Sequence, residues 1–376
     1  MPSGDVPPQS LSAGAAGIAL LHIERAATGL DTWPTAHTWL AAATSGALTT
    51  GRQATLFLGA PAVAFAIGAA SGPQRYTRAL QALDDTVTAI TRQRLQRAHT
   101  RIDRRQHPAL DEFDLISGLT GLGAYLLRRH PHGSLVREVL AYLVRLTQPV
   151  NDLPGWWTYE APSGHRDSGR PGGHANHGIA HGISGPLALL SLATRAHITV
   201  DGQSQAIHRI CTWLDTWRQG HHAGPWWPET LTLDDLRRHR PAQSTPARPS
   251  WCYGTPGIAR AQQLAGHASG DTARRSMAEH ALAGCLADPH QVARLTDHSL
   301  CHGTAGVVQT AWRISADAAT PELRPRVRAF ADRLASAGPD DGAGFLRGST
   351  GRALALLTAA TDQPPASGWD TCLLLD

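Results

Sequence analysis

Gly303–Trp312 reads GTAGVVQTAW, two glycines three residues apart that open directly into an apolar run. The same form recurs as GAAGIALLHI from Gly14, GAPAVAFAIG from Gly59, GLTGLGAYLL from Gly118, GISGPLALLS from Gly182, GTPGIARAQQ from Gly254 and GSTGRALALL from Gly348. Successive copies start 45 to 72 residues apart, room for two helices and a variable loop, and self-similarity at such a period marks a repeat architecture. Only the copy at Gly59 departs from the form, with Ala62 in place of its second glycine. Between copies lie amphipathic stretches such as SLVREVLAYLVRL, QAIHRICTWLDTW and ELRPRVRAFADRL, apolar near every third or fourth residue. A helix apolar on most sides has to be buried, whereas one with a polar face covers the outside. Alternating the two kinds seven times predicts an all-α fold, an α/α toroid made of a double ring of helices, with residues 1–376 as one domain. The glycines fit tight turns and close backbone approach where seven chains converge on one rim. Only thirteen residues precede Gly14, so the count gives seven inner helices and six clear outer ones, and the outer ring is expected to close less completely than the inner.

Composition narrows the function classes. The chain has 42% hydrophobic and 17% charged residues and a formal net charge of +4, values of a folded water-soluble protein. No apolar run approaches the roughly 20 residues that span a bilayer, and the opening MPSGDVPPQSLSAGAAG lacks the basic and apolar regions of a secretory signal, so a cytoplasmic location is expected. All 34 basic residues are arginine, and they do not gather with aromatics on one segment, which argues against a nucleic-acid partner. Five cysteines, Cys211, Cys252, Cys285, Cys301 and Cys372, are too scattered for a disulfide framework and leave metal or catalytic roles open.

The repeat supplies a register for them. Cys252 and Cys301 each stand two residues before the first glycine of their copies; Tyr253, His302 and His181 stand one before; Asp114 stands four before Gly118. If every first glycine sits on one rim, these polar and metal-binding types collect there. The shared offset in neighbouring copies brings Cys252 and Cys301 to one ion, and His302 completes a Cys, Cys, His set. Three protein ligands leave the fourth tetrahedral position of a zinc ion open, the pattern of a catalytic rather than a structural site. Cys211, Cys285 and Cys372 lie off this register and read as buried thiols. His165, His174, His177, His221, His222 and His298 read as surface or hydrogen-bonded histidines.

The segments NHGIAHGISGPLALL, WCYGTPG and LCHGTAG, in that order, resemble the lanthionine synthetase C-like cyclases, and the resemblance covers nearly the whole chain. It implies a seven-repeat α/α toroid, one zinc ion on Cys252, Cys301 and His302, and closure of thioether rings in ribosomally made lanthipeptides. It further implies His181 as an acid/base, with Asp114, Arg248 and Tyr253 as active-site partners. A thiol held on zinc is deprotonated at neutral pH, and attack on a dehydroalanine or dehydrobutyrine calls for a proton at the α-carbon, suited to His181, and a cation at the developing oxyanion, suited to Arg248. Asp114 could orient either. The expected partners are a dehydrated precursor peptide, a separate dehydratase that makes it and a membrane transporter complex, so that membrane association would come through partners. A competing reading is a non-catalytic relative whose zinc binds a thiol such as glutathione. A hydrolase or terpene-type cyclase on a similar toroid would need paired carboxylates or Asp-rich motifs, and the rim has none. The tryptophan pairs of GWWTYE and GPWWPET either line a peptide groove or cap the toroid, and RRHRPAQSTPARPS reads as a loop that places Arg248.

Overall fold

The computed structural model describes residues 6–70, 72, 75–220, 222–319, 321–340 and 342–376; His221 lies outside the described residues. In chain order the helices are α1 (Ala15–Ala27), α2 (Trp33–Ala43), α3 (Ala60–Ala70), α4 (Thr77–Asp103), the short α5 (Leu110–Phe113), α6 (Leu119–Arg129), α7 (Ser134–Leu146) and α8 (Ser184–Arg195). There follow α9 (Gln203–Thr216), the short α10 (Leu233–Arg238), α11 (Thr255–Ser269), α12 (Thr272–Ala287), the short α13 (Pro289–Val292), α14 (Thr304–Asp317), α15 (Arg324–Ala335) and α16 (Ser349–Thr361).

Every glycine-led run is one helix of an inner ring. Around it α1, α3, α6, α8, α11, α14 and α16 pack pairwise, and α16 returns to α1. The amphipathic stretches form the outer helices α2, α4, α7, α9, α12 and α15, each lying on its own inner helix and on the next. Burial follows the sequence pattern: Ser184 to Ala193 of α8 are buried without a break, whereas α15 buries only Val327, Ala331 and Leu334. The toroid expected from the repeat is the fold observed. Among the described residues the outer ring has six helices, and the chain after α16 turns inward instead of supplying a seventh.

Two registers hold the rim together. Among the described residues, backbone hydrogen bonds link six of the seven successive pairs of repeats, all but that of Gly59 with Gly118: Leu11 N to Phe57 O, Leu115 N to Ala180 O, Ala180 N to Cys252 O, Cys252 N to Cys301 O, Cys301 N to Leu346 O and Leu346 N to Ser12 O, at 2.8–3.3 Å. Three residues before the first glycine stands a large apolar side chain in every copy: Leu11, Leu56, Leu115, Ile179, Trp251, Leu300 and Phe345, all fully buried. Each such burial contributes about 1.5–3 kcal/mol. The second glycine is explained by this layer. A Cβ on it would sit 1.9 Å from the Trp251 carbonyl at Gly257 and 2.6 Å from the Ile179 carbonyl at Gly185, the carbonyl six residues earlier in both cases. At Gly59 the backbone has φ +81°, beside the Thr49 carbonyl, so this degenerate copy keeps the glycine that its turn requires.

The two longest spacings hold an element that the repeat did not predict. Strands β1 (His174–Asn176) and β2 (Thr230–Thr232) pair antiparallel, Asn176 opposite Thr230, and so tie the loops before α8 and α11 into one platform. The tryptophan pairs belong to its core: Trp156, Trp157, Trp226 and Trp227 are at most 3% exposed, with indole N–H groups of Trp157 and Trp227 donated to the carbonyls of Gly172 and Leu214. They are packed in that core and offer no open stacking face. No helix is long and apolar enough to cross a membrane among the described residues.

Candidate functional site

The backbone bond from Cys252 N to Cys301 O, 3.2 Å, sets two cysteines of equal register side by side on adjacent repeats. The ligand atoms of Cys252, Cys301 and His302 lie within 4.8 Å of one another. Hydrogen bonding from Cys301, aided by His302 and Ser250, holds the Cys252 thiol well below its ordinary value despite burial, and the same interaction together with burial pushes Cys301 up. One sulfur is thus readily a thiolate, the form that binds metal. Asp297, which sequence reading missed, places Oδ2 3.5 Å from His302 Nε2 and 3.8 Å from Arg248 Nη1. A carboxylate behind a ligand histidine is the usual support of such a site. Burial opposes the charge on Asp297, but hydrogen bonds from Ser299 and the positive groups His302 and Arg248 hold its carboxyl below the ordinary range.

One repeat away, His181 Nδ1 donates to Asp114 Oδ2 at 2.6 Å. Asp114 is 1% exposed, and its other oxygen accepts the N–H groups of Ser117 and Gly118 at 2.6 and 2.9 Å. That second task is ordinary. Ser10, Ser250 and Ser299, at the same offset in other copies, each accept a backbone N–H three residues on through their hydroxyls, the side-chain turn that serine and aspartate both form. A serine would have closed the turn; aspartate closes it and keeps an oxygen for His181. The His181 ring stacks on Tyr253, centroids 6.1 Å apart at 29°. Tyr253 Oη accepts from Asn176 Nδ2 at 3.0 Å, so its own proton remains free to be given, and burial pushes its pKa up. Since Tyr253 follows Cys252 and Ala180 N bonds Cys252 O, the His181 pair and the cysteine pair are successive steps along one rim.

The seven residues singled out from the sequence therefore come from four neighbouring repeats, those at Gly118, Gly182, Gly254 and Gly303, with Arg248 in the loop before α11. Arg248 approaches through Asp297, and its loop is tied down where Arg294 donates to the Pro246 carbonyl. Asn176 and Glu229 are brought in by the β1–β2 pair; Asn176 stands six residues before Gly182, the offset of Arg248 and Asp297 in their copies, and Glu229 had no signal in the repeat. Glu229 is raised by burial and by the charge of Cys252. Of the histidines set aside by the sequence, His165 and His222 are exposed, His298 is half-buried beside Asp297 and His174 is buried in β1, and His177 is fully buried, with Nδ1 donating to Pro228 O and Nε2 accepting from Trp213 Nε1, both at 2.8 Å. Burial pushes Cys211 and Cys285 up to about 12 and Cys372 well above its ordinary value, as expected of inert buried thiols.

Residues 5–374 match the family described as Lanthionine synthetase C-like protein. The chain is 24% identical over 254 residues to the nisin biosynthesis protein NisC of Lactococcus lactis subsp. lactis, an alignment that takes in 65% of this chain and spans 60% of that protein's length. The solved structure titled nisin cyclase superposes with a TM-score of 0.81 over 99% of this chain and 93% of that one, at 22% identity, a likeness of fold.

Proposed function

The chain belongs to the lanthionine synthetase C-like family, and from that premise we propose that it is a zinc-dependent cyclase closing thioether rings in a dehydrated, ribosomally made peptide. One observation carries the reading: two cysteines and a histidine with ligand atoms within 4.8 Å share a rim with a His–Asp pair one repeat away. Two sulfurs and an imidazole suit zinc and leave a tetrahedral position open. Cys252, Cys301 and His302 would hold the ion, and the chemistry it supplies is deprotonation of an incoming cysteine thiol at neutral pH.

The chain's own residues account for the remainder. The substrate sulfur forms a bond to the β-carbon of a dehydro residue while the π pair moves toward its carbonyl oxygen. Arg248, exposed enough to reach that oxygen, offsets the developing charge. His181, with Nδ1 committed to Asp114, presents Nε2 for proton transfer to the α-carbon, and Asp114 fixes the ring and its tautomer. Tyr253 holds the face of that ring and offers its hydroxyl proton to the same carbonyl. The dehydro residues come from a separate dehydratase, and location in the cytoplasm, with any membrane contact made through partners, belongs to the same reading.

The test is thioether formation in dehydrated precursor peptide, followed as a rate and a ring pattern against enzyme-free peptide. A protein that bound about one zinc yet gave the enzyme-free rate would return the reading to a thiol-binding relative.

A further inference from the structure

After α16 the chain does not stay on the surface. The Glu24 carboxylate of α1, 4% exposed, accepts the N–H groups of Ala366 and Ser367 at 2.9 and 2.8 Å and turns the chain toward the axis. Arg128 of α6 grips the turn through Ser367 O, Gly368 O and Thr371 Oγ1. From there the segment is sealed inside the inner ring: Trp369, Asp370, Cys372, Leu373, Leu374 and Leu375 are at most 1% exposed. Asp370 takes two bonds from Arg313 and one from Gln309 of α14, at 2.6–2.7 Å, and Arg260 of α11 holds Leu375 O at 3.0 Å. Trp369 meets Phe345 edge-on at 5.8 Å. One chain segment thus joins several inner helices, which a ring of neighbour-only contacts cannot do by itself.

Its contact nearest the site is with Trp251, the residue before Cys252. The Trp251 indole N–H donates to Leu373 O at 3.0 Å, with the side chain wholly buried. Trp251 is wedged on both flanks, its carbonyl against Gly257 and its Cβ against Gly306, so it cannot shift without moving the backbone that carries Cys252.

We propose that the segment 369–375 is a positioning element for the metal centre, fixing Cys252 from beneath through the Trp251–Leu373 hydrogen bond. Trp251 is here a positioning residue that touches neither metal nor substrate. The inference rests on the reading of Cys252, Cys301 and His302 as metal ligands, and wild-type protein that bound no metal would remove that reading before this one was tested. Supports behind metal ligands are worth about 10–100-fold in affinity. The experiment measures zinc affinity by chelator competition, and the visible spectrum of the cobalt-loaded full chain, for Trp251→Phe, for Asp370→Asn and for Val139→Ala. Val139 is fully buried on the outer helix α7 and serves as a stability-matched control. The expected result is a loss of about 10–100-fold in affinity and an altered cobalt spectrum for the first two variants, with neither change in Val139→Ala at a comparable fall in Tm. Asp370→Asn reads the same link from the far side of the segment, so the test survives a Trp251→Phe protein that fails to fold. The proposal is overturned if both variants behave like Val139→Ala, or if only Trp251→Phe responds, since the effect would then belong to the ring and not to the segment.

Discussion

One residue before the first glycine, the first three repeats carry Ala13, Leu58 and Ser117, while the last four carry His181, Tyr253, His302 and Arg347; one position earlier Ser12, Phe57 and Ile116 face Ala180, Cys252, Cys301 and Leu346. Both halves share the turn, the buried layer of large apolar residues and the glycine contacts that hold it. The backbone is therefore a scaffold indifferent to chemistry, and a site arises wherever two or three adjacent copies place reactive types at the same offsets. Adjacency matters because the inter-repeat hydrogen bonds join neighbours only.

The contrast is broken most completely at the metal. On the proposed reading the wild-type protein should hold about one zinc ion per chain and Cys301→Ala should lose it, whereas Ser12→Ala, in a repeat without candidate ligands, should leave it in place; metal analysis of the purified proteins decides. A Cys301→Ala chain that kept its zinc would sink the ligand assignment. Next in size, His181→Ala should slow thioether closure by about 10²–10⁴-fold, the range of a general acid or base, with zinc content unchanged, as followed by mass spectrometry of thiol-blocked peptide.

The chemistry-bearing side also carries a pH liability. Burial pushes His177 from 6.5 down to about 4, so the fold keeps it neutral where the unfolded chain takes up a proton. Stability is fully present above the unfolded value and is lost as pH falls from 6.5 to about 4, by about 3 kcal/mol in all. Thermal melts across that window should show it, and His177→Gln, which retains a donor and an acceptor, should flatten the curve. A slope unchanged in that variant would move the liability to another group.

A finer comparison sets glycine against alanine. Gly306→Ala puts a Cβ 2.0 Å from the Leu300 carbonyl and should cost about 1–3 kcal/mol. The copy that already carries alanine has adapted, so Ala62→Gly should cost only about 0.5–1 kcal/mol of helix stability; equal losses in denaturant melts would refute the close-approach account. Smallest is Asp114→Ser, which keeps the turn and drops only the His181 partner. It should fold normally and lose about tenfold in closure rate, comparable to other orienting partners, whereas Asp114→Ala loses the turn as well and should show a lower Tm.

The register of Cys252, Cys301, His302, Tyr253 and His181 was legible in the sequence because it is local: each offset is counted from a glycine a few residues away. Asp297, Asn176 and Glu229 were not legible. Asp297 lies six residues before its glycine, the offset that Arg248 holds before Gly254 and Asn176 before Gly182, but that position lies outside the turn next to the glycine and its shared use shows only in the fold, while Glu229 reaches the site through a strand pair between two insertions of unrelated sequence. The tryptophan pairs were open to two readings, because a loop tryptophan lines a groove or fills a core according to what folds over it.

By itself the sequence determined that the chain repeats, that each unit is a buried helix followed by a half-buried one, and that its metal-binding types share an offset. These follow from periodicity and spacing, which covalent connection fixes. Only the tertiary structure decided that Asp114 serves His181 rather than Arg248, that Asp297 backs both His302 and Arg248, and that residues 369–375 fill the inner ring and reach Trp251. Apart from Asp297 and His302, five residues apart, these pairings join groups tens to hundreds of residues apart, and they exist only once burial of the apolar helices has closed the ring and brought those groups into contact.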